Sequence, residues 1–252
     1  MYVNRTYRDS SGTGDLRSFR VVVKETDLHI SVDPASYNLQ LEKRVERLIL
    51  ILRHDLEEYI ALDPEFKATL RPHLLAFEAP PIAQIMARAA NLAGVGPMAA
   101  VAGAFAEYIG RDLMEVCSDV IVENGGDIFI SSNINRRIAI FAGKSPFSNR
   151  LALEIPSDKM PVGVCTSSGT VGPSFSMGKA DAAVIISASA ALADAVASAA
   201  GNVVQNSRDV TKGVEVAKCI TDVLGAVIIK DDQLAAWGEY KLEPVLPIIE
   251  ES

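Results

Sequence analysis

The chain has 252 residues and a net charge of −8, with 49% apolar and 22% charged residues, the balance of an ordinary globular protein with room for a substantial core. No basic stripe with interleaved aromatics occurs, which argues against nucleic-acid binding; a phosphate can still be held by backbone N–H groups or a metal ion. Cys117, Cys165 and Cys219 stand far apart with no CxxC, which excludes a disulfide framework and a structural zinc site and reads as reduced thiols in the cytoplasm.

The segment from Met1 to Asp9 is charged and no apolar stretch follows it, so a signal peptide is not expected. Two apolar stretches, 92–106 and 182–204, are rich in Ala, Gly and Ser. The first is shorter than the roughly 20 residues a bilayer requires, and Asp194 interrupts the second. Both read as buried segments, with no membrane partner.

Residues 18–24 and 28–32 alternate as strands around the turn Glu25-Thr26-Asp27, giving a hairpin. Leu39, Leu41, Val45, Leu48, Ile49, Leu52, Leu56 and Ile60 recur at helical spacing. Asp63-Pro64 ends that helix and caps a shorter one. Pro80-Pro81 opens a run to Ala93, and Gly94-Val95-Gly96-Pro97 interrupts it. Pro97 suits the first position of a further helix running to about Met114, because its missing N–H would have no partner there.

Strands follow at 119–122 and 128–131, joined by a bend whose two glycines predict positive φ and a close backbone approach. Further strands are expected at 138–142, 151–155, 162–166 and 182–187. A small-residue helix spans 190–204 and a second spans 211–224, with Val223 on its apolar side. Residues 226–229 and 238–242 complete the set. Both halves read as two strands, two helices, two strands. The expected fold is therefore α+β: one domain over 1–252 built of two pseudo-repeats, about 15–135 and 160–245, with helices on one face of antiparallel sheet. Val95-Gly96-Pro97 and Val171-Gly172-Pro173 recur in the two halves, a match too short to carry weight.

Several familiar motifs fail on context. Gly94 to Ala99 spells GxGxxA, but a dinucleotide fold requires a strand before it, and 83–92 reads as helix. Gly172 to Lys179 has its glycines one residue too far apart for a P-loop, and Ala180 stands where a Ser or Thr is needed. His29, His54 and His73 lie in the first third, away from the glycine-rich loops, and form no HxH or HxxxH pair.

Four features remain: the bend Asn124-Gly125-Gly126-Asp127, the hydroxyl-dense strand end Cys165-Thr166-Ser167-Ser168-Gly169, the segment from Ser174 to Asp181 with Lys179, and the helix Ala193-Asp194-Ala195-Val196-Ala197-Ser198. Asp194 and Ser198, four apart, share a helical face. Their oxygens suit a hard cation such as Mg²⁺; a dipole-favoured Asp beside a small packing Ser explains the same spacing.

Together the Gly-Gly-Asp bend, Ser168-Gly169 and the Ala-Asp-Ala-x-Ala helix resemble the ApbE family, flavin transferases that move FMN from FAD onto a protein threonine. The resemblance covers about residues 90–205. It implies a pair of T-fold ββααββ units and sheet-edge association into a homo-oligomer. It also implies FAD as a nucleotide ligand at Asn124, Gly125, Gly126, Asp127, Thr166, Ser167, Ser168 and Gly169. Mg²⁺ is implied at Asp194 and Ser198 with a carbonyl from Gly96 to Met98, neutralising the diphosphate for FMN transfer or pyrophosphate cleavage.

Two departures matter. The family's Gly-Ile-Ala-Lys-Gly corresponds to Val95-Gly96-Pro97-Met98-Ala99, without the lysine, and its His-Ile-x-Asp-Pro has no counterpart between Phe175 and Ala183. Lys179 and Asp181 are the candidate substitutes. The chain is similar to a shorter cytosolic branch, some of whose members are linked to sulfide assimilation. Non-catalytic flavin or nucleotide binding, and an accessory role in sulfide assimilation and homocysteine synthesis with Cys165 as sulfur carrier, are the alternatives.

Overall fold

The computed structural model describes residues 14–76, 78–171 and 177–245. The glycine and proline of the second Val-Gly-Pro, and Ser174 to Ser176 of the Lys179 segment, lie outside them.

Strands β1 (Arg17–Val23) and β2 (Thr26–Val32) form the first hairpin. The turn tightens to Lys24-Glu25, with Lys24 at φ 52°, so Thr26 joins the strand. Helix α1 (Leu39–Leu62) starts where the Asn38 side chain accepts the Leu41 N–H. It buries Leu41, Val45, Ile49, Leu52, Leu56 and Tyr59 on one stripe. Pro64 opens the short α2 (Pro64–Ala68). Helix α3 (Pro81–Ala93) ends at Gly94, left-handed at φ 73°, the usual helix stop. Pro97 starts a 3-10 turn, Pro97–Ala100, and α4 (Val101–Leu113) begins only after it. The path bends by 103° between these helical segments.

Strands β3 (Val120–Asn124) and β4 (Asp127–Ser131) follow, then β5 (Arg136–Ala139), β6 (Leu151–Ile155), β7 (Val162–Ser167) and β8 (Ala182–Ser187). Helices α5 (Ala190–Asn202) and α6 (Val210–Lys218) precede β9 (Val223–Lys230), β10 (Gln233–Gly238) and β11 (Lys241–Pro244). The expected helix over 211–224 ends early. Asp222 adopts φ 68°, and Val223 then pairs with Ser187 in the sheet. The single strand expected at 238–242 is instead the junction of two strands, because Gly238 turns at φ 110° and the chain changes sheets.

Eight strands form one antiparallel sheet in the order β1-β2-β3-β4-β7-β8-β9-β10, and β11-β6-β5 form a second. One face of the large sheet (Leu28, Ile30, Val122, Phe129, Cys165, Ile185, Ile228) packs under the helices. The other (Ile130, Val162, Val164, Val184, Ile186, Val227, Ile229) packs against Leu153 and Ile155 of the small sheet. Burial on both faces explains the unbroken apolar run of β8. Among the described residues no single helix is long and apolar enough to cross a membrane.

Candidate functional site

The bend between β3 and β4 is a two-residue hairpin turn: Asn124 pairs with Asp127, and Gly125 and Gly126 take φ 71° and 116°. Positive φ is as expected. A close approach is not found at Gly126, where a Cβ would meet nothing within 4 Å. That side of the turn is open. Behind it the backbone is tied down, because the Gly126 N–H donates to Glu123 Oε1 at 2.9 Å and Asn124 Nδ2 donates to the Ala102 carbonyl at 3.2 Å.

Asp127 is buried. Its Oδ1 accepts the Thr166 N–H across the β4–β7 pairing at 3.3 Å. Asp194 rises from α5, half-buried, and its Oδ2 accepts the Gly103 N–H at 2.9 Å. Gly103 lies in the first turn of α4, whose N–H groups have no helical partner. A Cβ there would fall 2.2 Å from the Ala190 carbonyl oxygen and 2.8 Å from Asp194 Cβ, so only glycine lets the two helices come this close.

The two carboxyls act on one another. Burial pushes Asp127 up to about 7, and the nearby Glu123 charge adds to it. Burial also holds Asp194 well above the usual carboxylate range, and the Asp127 charge adds to it. Backbone N–H groups of Gly103 and Ala102 act in the opposite direction. A like-charge pair with raised pKa values is what a site looks like when a cation or protons balance it. Ser198 stands half-buried one turn beyond Asp194.

Cys165 is fully buried beneath the pair, its Sγ 3.3 Å from the Ala190 carbonyl oxygen as donor. Burial pushes its thiol pKa up, and the Asp127 and Asp194 charges push it further. A thiol so placed stays protonated, the opposite of a reactive sulfur carrier.

The hydroxyl-dense strand end does a structural job. Ser168 Oγ accepts the N–H groups of Thr170 at 3.2 Å and Val171 at 3.0 Å. A Cβ on Gly169 would fall 2.0 Å from the Gly178 carbonyl oxygen, and one on Gly178 would fall 1.9 Å from that of Gly201. Three backbone segments are thus stacked in contact at the end of β7. Ser167 lies at the α5 side of this stack, its Oγ 3.8 Å from a Cβ built on Gly201.

Asp181, offered as a catalytic substitute, is buried and fully engaged. It accepts from Thr170 Oγ1 at 2.9 Å, from the Asp231 N–H at 2.7 Å and from Lys230 Nζ at 3.4 Å. Lys179 is exposed, its backbone N–H donating to the Val204 carbonyl at 2.7 Å. The structure therefore brings Asn124, Asp127, Thr166, Cys165 and Asp194 together and leaves Asp181 and Lys179 apart from them.

The Gly96 and Met98 carbonyls accept the Ala99 and Val101 N–H groups within the 3-10 turn, and the N–H groups that reach Asp194 come from Ala102 and Gly103. Gly103 was the missed residue; a glycine inside a helical run is the signal for close helix packing. Two surface clefts of about 700 and 650 Å³ are lined by neither carboxylate.

Comparison with known proteins identifies the family and the fold. A family model described as "AbpE bacteria" matches residues 8–223, so the chain belongs to this ApbE-like family. A UPF0280 protein of Methanothrix thermoacetophila is 46% identical over 198 residues, 76% of this chain and 81% of the relative. One of Methanococcus vannielii is 39% identical over 219 residues, 85% and 87% of the two chains. The flavin transferase ApbE of Vibrio cholerae superposes with a TM-score of 0.54 at 15% identity, over 88% of this chain and 96% of that one. The apo flavinyl transferase ApbE of Pseudomonas stutzeri gives 0.53 at 13%, over 88% and 94%. At such identity these two structures show the shared α+β fold.

Proposed function

We propose that the protein binds a flavin dinucleotide, FAD, together with Mg²⁺ between the β3–β4 turn and the start of α4. The observation that carries this is the Asp127–Asp194 pair, two carboxyls from distant segments that each sit above the ordinary carboxylate range. Oxygen ligands of this kind suit a hard cation, and a dication relieves the repulsion that the pair otherwise carries. Asp194 and Ser198 would hold the ion, with Asp127 beside them. When bound, Mg²⁺ supplies charge neutralisation for a diphosphate. The open side of Gly126 lets a ligand lie against the turn backbone, and Asn124 keeps that turn fixed to Ala102.

A second reading, binding without group transfer, is favoured by the state of the three catalytic candidates. Cys165 is a buried thiol, Asp181 is committed to Lys230 and Asp231, and Lys179 is exposed. The sulfur-carrier reading is the weakest of the three for the same reason.

The test is calorimetric titration of the full chain with FAD, with and without Mg²⁺, on wild type and Asp194→Ala. Binding that requires Mg²⁺ and is lost in Asp194→Ala is expected. Absence of binding under every condition would sink the proposal. FMN transfer to a threonine peptide, assayed next, separates catalysis from binding alone.

A further inference from the structure

Helix α3 carries more apolar surface than its core contact uses. Ile82, Ala83, Met86, Ala87, Ala89 and Ala90 are buried. Ile85 and Leu92 are not: seven residues apart and so on one side of the helix, they are half-buried and 52% exposed. Both line the cleft of about 700 Å³, and Ala89 and Leu192 of α5 complete its apolar floor. The end of α4 and the turn after it supply Tyr108, Arg111, Asp112 and Glu115 to the same cleft. Tyr108 and Arg111 stand three apart, as neighbours on the helix surface. A cleft of this volume suits a small organic ligand.

The charges that line the cleft are unequally used. Arg111 donates from Nε to Glu107 at 2.9 Å, and the other oxygen of Glu107 holds Ser189 and Ala191. Asp112 and Glu115 are taken by Arg44, at 2.7 and 3.0 Å. Among the described residues the Arg88 guanidinium, the Tyr108 hydroxyl and the Asp222 carboxyl, which also line the cleft, make no hydrogen bond or ion pair. Open donors therefore outnumber open acceptors: a guanidinium and a hydroxyl against one carboxylate. A ligand carboxylate matches the planar guanidinium fork. A second negative charge on the ligand would be opposed by Asp112, Glu115 and Asp222. A cation would meet Arg88 and find Asp222 alone unoccupied.

We propose that the cleft between α3 and α4 binds a singly charged organic carboxylate with an apolar body, a fatty or aryl acid. The ligand carboxylate pairs with Arg88 and accepts from the Tyr108 hydroxyl. Its body lies on Ile85, Ala89, Leu92 and Leu192. Affinity is divided between a charge-assisted bond at one end and apolar burial at the other, worth about two- to fourfold per methylene. Asp112, Glu115 and Asp222 disfavour dianions such as phosphate monoesters. The ligand class therefore differs from the dinucleotide proposed at Asp194, and neither Asp127 nor Asp194 lines this cleft.

Isothermal titration of the full chain with octanoate, octyl phosphate and octylammonium, without Mg²⁺, varies the head group on one apolar body. Octanoate is expected to bind once per chain with Kd on the order of 0.1–1 mM. Octyl phosphate and octylammonium each bind about tenfold more weakly or not at all. Hexanoate, two methylenes shorter, binds roughly four- to fifteenfold more weakly than octanoate. Arg88→Gln weakens octanoate about tenfold, and Leu92→Asp, which sets a carboxylate on the apolar floor, weakens it at least as much. Both positions are exposed, and unchanged circular dichroism checks that the fold is kept. Absence of octanoate binding up to about 10 mM overturns the proposal. So does octyl phosphate or octylammonium binding as tightly as octanoate, or an octanoate affinity that Arg88→Gln or Leu92→Asp leaves unchanged.

Discussion

Asp127 carries the most informative single charge in the molecule. Its carboxyl is raised to about 7 from 3.8, first by burial and then by Glu123. Because the folded value lies above the unfolded one, the folded state keeps a proton that the unfolded chain releases. The stability tied to that proton is fully present below about pH 4 and is lost as pH rises through about 7. In the absence of Mg²⁺, Asp127→Asn should therefore flatten this dependence and stabilise the protein at pH 8 by on the order of a few kcal/mol. Urea denaturation at pH 5 and pH 8 measures it; equal pH slopes in wild type and variant would show that the carboxyl ionises freely. Mg²⁺ should restore wild-type stability at pH 8, by about 2.7 kcal/mol at a hundredfold excess over Kd. Cys165, buried and held above the usual thiol range, should react with a thiol reagent far more slowly in the folded protein than exposed Cys219. Mass spectrometry of partially labelled protein would settle the order.

Two carboxylates clamp α4 to α5. Asp194 of α5 takes the Gly103 N–H of α4. Glu107 of α4 accepts Ser189 Oγ at 2.7 Å and the Ala191 N–H at 3.2 Å, which caps α5 from outside the helix. Between them Gly103 leaves no room for a side chain. Gly103→Ala should force the helices apart, lowering stability by about 1–3 kcal/mol and abolishing Mg²⁺-dependent binding. Glu107→Ala should cost a similar amount, about 1–3 kcal/mol, by leaving buried donors unpaired, while binding at Asp194 survives. Thermal melts and FAD titrations on the two variants distinguish a displaced site from a weakened scaffold. At the end of β7, Gly178→Ala would push a methyl to within 1.9 Å of a backbone oxygen. The Ser168-Gly169 signature is thus explained by backbone stacking before any ligand is considered.

Across the whole molecule, the large sheet is shared by two cores, one under the helices and one under the small sheet. Ile109→Ala in the first and Leu153→Ala in the second, both fully buried, should each cost about 2–5 kcal/mol. If the layers fold as one unit, both variants shift the same calorimetric transition; a separate low-temperature transition in Leu153→Ala would show an independent small sheet. Much of this architecture was legible in the chain because its causes are local. Pro64 and Gly94 act on the backbone within a few residues, alternation marks β2 and β4, and paired glycines turn the β3–β4 hairpin. The reading failed where a distant neighbour decided the outcome. Val223 belongs to β9 because Ser187 and the sheet lie beside it, and β10 is a strand because β9 pairs with it although Gln-Leu-Ala-Ala-Trp is a weak β sequence. The site divides in the same way. By itself the sequence determined the α+β class, the helix starts and stops set by Pro64 and Gly94, and the residue types able to bind a cation. Only the tertiary structure decided that the Asp127 charge acts on Asp194, that Gly103 supplies the facing N–H, and that Cys165 and Asp181 are held in place by their neighbours, because burial and charge coupling are set by segments far apart in the chain.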